Sequence, residues 1–280
     1  MRYLICSLML LGLFSCKKKT NEWEQAKVIL DMAYGLDPQQ KLDLYLPENR
    51  STDYTSLIVL IHGGGWTEGD KKDFTPSVTE LQKRFPAAAV ANLNYRLYKN
   101  GTNLFPTQEN DVAAAMKALT DQSAVLGFNA TSFAFIGASA GGHLALLQAY
   151  KNTYPDKAKA VVSFFGPTEL ISLYNNPPNP LIPPLLAALT GTTPGNNVFP
   201  YRINSPVEYV NNFTPPTLLF HGGLDIVVSP SQSELLKQKC ISSSVPVEYY
   251  FYPTEGHGWT GANLDDSFNK LEAFLKKYGL

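Results

Sequence analysis

Residues 57–61 read Leu-Ile-Val-Leu-Ile, an apolar run with no polar break. A strand of this kind has no solvent face, so it must sit in a sheet covered on both sides. Further strand signals fall at Ala87–Leu93, Phe133–Ile136, Ala158–Phe165, Thr217–Phe220 and Val247–Tyr252. Helical stretches fall between or after them, at Asp73–Phe85, at a segment opening on Asp111, at residues 140–151, at Ser231–Lys239 and at Leu264–Tyr278. Asp111 is expected to cap its helix. Strands alternating with helices imply βαβ units. The expected class is therefore α/β, a mostly parallel sheet with helices on both faces. Val28–Leu30 and Leu42–Leu46 flank the turn-rich Asp37-Pro38-Gln39-Gln40, which predicts an antiparallel hairpin at the N-terminal edge of the sheet. Residues 166–214 interrupt the rhythm with many prolines and one short helical piece, Leu185–Leu189. They are expected to form an insertion within a single domain, residues 27–280, above the sheet's C-terminal edge, where open α/β sheets bind ligands.

A formal net charge of −1 argues against nucleic acid as a partner, because phosphate binding needs a dense basic surface. The N-terminus reads as an address. Arg2 precedes an apolar run, Leu4–Phe14, too short for a bilayer span of roughly 20 residues but suited to a signal peptide over residues 1–15. The run ends in Leu13-Phe14-Ser15-Cys16, which resembles a bacterial lipobox. The resemblance implies a lipidated Cys16, a polar tether over residues 16–26 and a lipid bilayer as partner. The expected place is the bacterial outer membrane, on its periplasmic or surface face. Cys6 leaves with the signal, so Cys240 has no internal cysteine to pair with and is read as a structural thiol.

The chemistry concentrates in Gly137-Ala138-Ser139-Ala140-Gly141, which follows a predicted strand and precedes a predicted helix. In that context G-x-S-x-G is a nucleophile elbow, a sharp turn that exposes the serine hydroxyl. A serine hydroxyl needs a base. Of the four histidines, His62 and His221 end buried strands in His-Gly steps and are expected to support local loops. His143 lies inside the helix after the elbow, where its side chain is expected to pack or hydrogen-bond near the elbow rather than reach the open face. His257, in Glu255-Gly256-His257-Gly258, occupies a loop on the ligand edge and is the candidate base. Asp225, just past a strand in His221-Gly222-Gly223-Leu224-Asp225, is the candidate acid that orients it. Asp265 and Asp266 begin a helix, and Asp156 lies away from the edge. The glycines of His62-Gly63-Gly64-Gly65-Trp66 leave amides exposed. Gly64 and Gly65, with Ala140, are the candidate oxyanion donors, and the sequence does not choose between the two glycine amides. No metal or organic cofactor is needed for such a site.

Together with Asn94-Tyr95-Arg96 and Leu42-Asp43-Leu44-Tyr45-Leu46-Pro47, these motifs resemble the α/β-hydrolase superfamily, in the hormone-sensitive-lipase-like or BD-FAE-like carboxylesterase group. The resemblance spans about residues 28–278. It implies an α/β-hydrolase fold and a serine esterase working through an acyl-enzyme on a small ester or acylated carbohydrate, with acetyl or feruloyl esters of plant polysaccharide in view. It also implies that Asn94-Tyr95-Arg96 supports the oxyanion loop. Trp66 and His143 are the candidate substrate-contacting side chains, and Pro167, Leu181, Ile182, Leu185 and Leu186 the candidate pocket lining. Arylformamidase, peptidase and a non-catalytic surface-anchored binding protein are the alternatives; oligomeric state stays open. Replacing Cys16 with Ala should move the protein from the membrane fraction to the soluble fraction. Acylated, membrane-bound Cys16→Ala protein would rule out the lipobox.

Overall fold

The computed structural model describes residues 22–151 and 157–280. The leader, Cys16 and Asp156 lie outside the described residues. In chain order the elements are β1 (Lys27–Ala33), β2 (Lys41–Leu46), β3 (Leu57–Ile61), α1 (Thr75–Arg84), β4 (Ala89–Leu93), α2 (Thr107–Leu126), β5 (Phe133–Ala138) and α3 (Ala140–Lys151). They continue with β6 (Ala160–Phe164), α4 (Leu170–Asn175), α5 (Ile182–Thr190), α6 (Phe199–Ile203), β7 (Thr217–Gly222), α7 (Ser231–Ser242), β8 (Val247–Tyr252) and α8 (Ala262–Lys277).

The strands form one eight-stranded sheet in the order β1-β2-β4-β3-β5-β6-β7-β8. β1 pairs with β2, and β2 with β4, antiparallel; the remaining pairs, β4–β3, β3–β5, β5–β6, β6–β7 and β7–β8, are all parallel. The expected edge hairpin is present. Alternate side chains of each central strand reach opposite faces. Leu57, Val59 and Ile61 join Phe133, Phe135 and Leu219 in a core with Val112 and Met116 of α2, Leu144 of α3 and Leu236 of α7. Ile58 and Leu60 join Ile136, Val162 and Phe220 in a second core with Leu81 of α1 and Phe268, Leu271 and Phe274 of α8. Five fully covered strand residues with no polar break are thus explained by two apolar layers of helix. Cys240 is buried in α7, and burial pushes its thiol up to about 11, as suits a structural residue.

Three expectations need correction. α2 starts at Thr107, directly after Pro106, so Asp111 lies in the second turn and does not cap the helix. Its buried carboxylate instead accepts from the Arg96 backbone amide at 2.8 Å, from the Arg96 guanidinium at 2.6 Å and from Gln40 Nε2 at 2.8 Å. Residues 22–26 are not a free tether. Trp23 Nε1 donates to the Val125 carbonyl at 3.1 Å, and Arg50 donates to the carbonyls of Gln25 and, at 2.7 Å, Leu126. Residues 166–214 carry three helices, α4 to α6, rather than one short piece, because apolar side chains such as Leu173, Leu186 and Tyr201 pack into the first core.

The loop after β3 is seated by a buried ion pair. Lys71 Nζ lies 2.8 Å from both carboxylate oxygens of Asp43 on β2, with the two side chains 4% and 8% exposed, and 3.0 Å from Asp31. Removing one partner of such a pair strands the other charge away from water, at a cost of about 3–5 kcal/mol. Lys71→Met should therefore lower the unfolding free energy by about that much in urea titration. A loss below about 1 kcal/mol would show that Asp43 is not desolvated.

Candidate active site

Ser139 stands between the end of β5 and the start of α3 with φ 54°, in the left-handed region that a residue with a Cβ seldom adopts. The turn is held by hydrogen bonds on both sides. Ser139 N donates to the Phe164 carbonyl at 2.8 Å, and His143 N donates to the Ser139 carbonyl at 3.0 Å. Glycine is required at two places around it. A Cβ on Gly141 would run into the Ile61 carbonyl, and one on Gly137 into the Gly141 carbonyl. The strand–turn–helix read from G-x-S-x-G is thus imposed by backbone contact, not by loop preference.

The loops after β7 and β8 complete a line of hydrogen bonds. His257 Nε2 lies 2.8 Å from Ser139 Oγ, and its Nδ1 lies 2.7 Å from Asp225 Oδ2. A carboxylate only accepts, so Nδ1 carries the proton and Nε2 presents its lone pair to the serine hydroxyl. The other oxygen of Asp225 accepts from the amides of Val227 at 2.8 Å and Val228 at 2.9 Å. His221 supports the same loop. Its Nε2 lies 2.9 Å from the Val228 carbonyl and 3.3 Å from Asp225 Oδ2, and its Nδ1 lies 2.7 Å from Ser233 Oγ. Since the carbonyl must accept, His221 Nε2–H donates to it. Burial alone would raise the Asp225 carboxyl. The hydrogen bonds from His221, His257 and the Val228 amide, with the electrostatic attraction of the His257 ring, outweigh burial and hold it well below the usual carboxylate range.

The glycine loop lies across the cleft. Gly64, Gly65 and Trp66 have φ of 101°, 57° and 62°, a run of residues in the left-handed region. Among the described residues, no group accepts from the amides of Gly64, Gly65 or Ala140. The Gly64 carbonyl is occupied by the amides of Thr67 and Glu68, both at 3.0 Å. The expected support from Asn94-Tyr95-Arg96 takes three forms. Tyr95 Oη donates to the carbonyls of His62 at 3.0 Å and Gly63 at 3.2 Å. Asn94 Nδ2 donates to Asp70 at 2.8 Å, and Asn94 Oδ1 accepts from Lys71 N at 2.5 Å. Arg96 is held by Asp111, as described above. His62 stacks on Tyr95 at 4.4 Å.

Gly63–Gly65, Ser139, Phe165, Leu185, Val227 and His257 line an open cleft of about 720 Å³. A smaller notch of about 30 Å³ opens beside Ser139 between Gly65, Trp66, Pro167, Ile182, Leu185 and Leu186. Four of the expected lining residues are therefore in place, but Leu181 is 75% exposed and outside it. Trp66 walls the notch. His143 does not meet the cleft: it is fully buried, with Nε2 2.6 Å from the Asn204 carbonyl and its ring packed edge-on against Trp66. Its position four residues into α3 turns it into the core. Asp265 and Asp266 stay on α8, as expected. No motif pointed to Phe165, whose ring lies 4.6 Å from that of His257 and whose φ is 43°. Two aromatic residues at the end of an apolar strand look like core in a sequence.

Residues 42–240 match the BD-FAE family model. The chain belongs to that family. It is 27% identical over 243 residues to the probable carboxylic ester hydrolase LipM of Mycobacterium tuberculosis, a match covering 82% of this chain and 56% of that protein. It therefore spans about half the length of that relative. Among solved structures it resembles a truncated carbohydrate esterase from gut microbiota, with TM-score 0.75 and 22% identity over 92% of this chain and 98% of the other. It also resembles esterase B from Lactobacillus rhamnosis, with TM-score 0.75 and 20% identity over 92% of this chain and 87% of the other. The fold is that of the α/β-hydrolases.

Burial lowers His143 to about 4 from an ordinary 6.5, against the hydrogen bond to Asn204. In the native state it stays neutral over a range where the unfolded chain takes up a proton. The penalty therefore begins as pH falls below about 6.5 and is complete below about 4, reaching on the order of 3 kcal/mol. The urea midpoint should fall across that window, and His143→Gln should flatten the fall. An equally steep dependence in the variant would place the titration elsewhere.

Proposed function

We propose that the chain is a serine hydrolase that cleaves small carboxylic esters through an acyl-enzyme intermediate. The observation that carries this reading is the hydrogen-bonded line from Ser139 Oγ through His257 to Asp225, at 2.8 and 2.7 Å, beside amides with no other acceptor. Ser139 attacks the ester carbonyl while His257 Nε2 takes its proton. Asp225 keeps the imidazole in the required tautomer and stabilises the imidazolium. The negative oxygen of the tetrahedral intermediate is received by the amides of Gly64, Gly65 and Ala140, each such donor being worth roughly 2.7–4 kcal/mol of barrier. His257 then protonates the leaving alcohol, and water repeats the sequence on the acyl-enzyme.

The notch between Gly65 and Leu185 favours a small acyl group. Its volume of about 30 Å³ suits an acetyl group, while a feruloyl group would have to extend into the wider cleft of about 720 Å³ that the notch adjoins. Structural neighbours named as a carbohydrate esterase and as an acetyl ester-xyloside bifunctional hydrolase raise acetylated carbohydrate as a substrate. Export and anchoring through Cys16 belong to the same proposal, supported by the Leu4–Phe14 run and the lipobox-like ending.

Hydrolysis of p-nitrophenyl esters from acetate to octanoate tests the chemistry and the notch together. Acetate should lead the series, and Ser139→Ala should abolish turnover. Asp225→Asn should lower kcat by on the order of 10⁴-fold by leaving the wrong imidazole tautomer facing the serine. Undiminished turnover by Ser139→Ala would sink the serine mechanism.

A further inference from the structure

A second cavity adjoins the catalytic cleft on the other face of the sheet. It measures about 120 Å³ and lies between β3, β5 and β6, the loop after β8, and helices α1 and α8. Phe74, Ala138 and Phe165 line both it and the cleft that holds Ser139, so the two spaces adjoin across these side chains next to the nucleophile. Its far walls include Ser77 of α1 and Leu264 and Phe268 of α8. Trp259 turns its polar edge away, donating from Nε1 to Ser267 Oγ at 3.0 Å, and gives the cavity an apolar face. Gly258, with φ 108°, puts no side chain into the junction. Apolar cavities of this order stay dry and take up compact hydrocarbon groups such as a benzene ring.

We propose that this cavity binds a compact apolar group on the leaving-alcohol side of the ester. The side follows from the proton. The leaving oxygen must take its proton from His257 Nε2, and this cavity borders His257 through the Phe165 ring, 4.6 Å away, and through Gly258. The notch at Gly65 and Ser139 lies on the other side and takes the acyl group. The substrate class is then an acetyl ester of a small aromatic or branched alkyl alcohol. A sugar acetate, with hydroxyls around the ring, would bring polar groups into a wall that offers them almost no partners. The inference rests on the hydrolase reading and specifies its alcohol.

The test compares matched esters with the full mature chain. Benzyl acetate and ethyl acetate have leaving alcohols of similar reactivity, and kcat/KM should favour the benzyl ester by about tenfold or more. Methyl phenylacetate, with its ring on the acyl side, should show no such advantage over methyl acetate. Benzyl alcohol should compete with ethyl acetate in the unaltered protein, a readout that needs no variant. Ser77→Phe, which fills the cavity from α1, should shrink the benzyl-to-ethyl ratio toward one. Preference for the phenylacetyl ester, or for acetylated xylose over benzyl acetate, overturns the assignment. Labelling of Ser139 by a fluorophosphonate separates the failures. A labelled serine without benzyl preference defeats the cavity proposal alone; no label and no turnover defeats the hydrolase reading and the cavity with it.

Discussion

The site depends on one steric fact, the contact between the start of α3 and the end of β3. Gly141 lies so close to the Ile61 carbonyl that no side chain fits, and Gly137 is closed in the same way by Gly141 itself. That approach forces β5 to turn into α3 within one residue and leaves Ser139 at φ 54°. It also brings the first turn of α3 beside the glycine loop that follows β3. The hydroxyl, the Ala140 amide and the amides of Gly64 and Gly65 thus belong to one backbone arrangement. The strain at Ser139 is held by a sheet whose central strands are covered on both faces, so the turn cannot relax without disturbing the core.

The acid and base reach this turn differently. Asp225 is fixed from several directions, by the Val227 and Val228 amides, by His221 and by His257. His221 is itself locked between Ser233 and the Val228 carbonyl. The carboxylate is therefore a rigid anion whose charge is settled before any substrate arrives. His257 has its Nδ1 tied to that anion, while its ring edge and Nε2 face the cleft and the side chain remains 19% exposed. A fixed acid and a partly open base are what proton exchange with a leaving group requires.

Much of this was legible in the sequence, for reasons that can be traced to particular residues. Leu57–Ile61 could be placed because an unbroken apolar strand has one structural solution. Ser139, Asp225 and His257 could be placed because each follows or precedes a glycine-marked strand end. Asp111 misled because an acidic residue ahead of an alanine run looks like a cap, whereas Pro106 starts the helix and Arg96, fifteen residues before Asp111, claims the carboxylate. His143 packs as a histidine inside the helix after the elbow is expected to, and only its place among the candidate substrate contacts fails, because nearness to the elbow in sequence says nothing about which way a helix faces. Trp23 and Arg50 could not be foreseen, since their partners are backbone carbonyls distant in sequence.

The polar supports behind the glycine loop explain why so many motif residues sit away from the chemistry. Asp43, Lys71, Asn94 and Tyr95 touch one another or the loop, and in the described structure none of them meets Ser139. Tyr95 and Asn94 bond to backbone groups of the loop or of its exit, and Asp43 holds the Lys71 ammonium beside them, so that the loop keeps its φ values of 57° and 101° without a bound ligand. Donors aimed in advance need no reorganisation when negative charge develops, and that preorganisation is the largest single contribution a site of this type can make. A buried Asp–Lys pair is a poor source of stability compared with an apolar pair of the same size. Its place here is better understood as fixing where β2 meets the segment after the loop, because Lys71 also gives its amide to Asn94 and its carbonyl to Asn92. The geometry of the proposed oxyanion donors is thus set from the sheet's antiparallel edge, through side chains that need never contact a substrate.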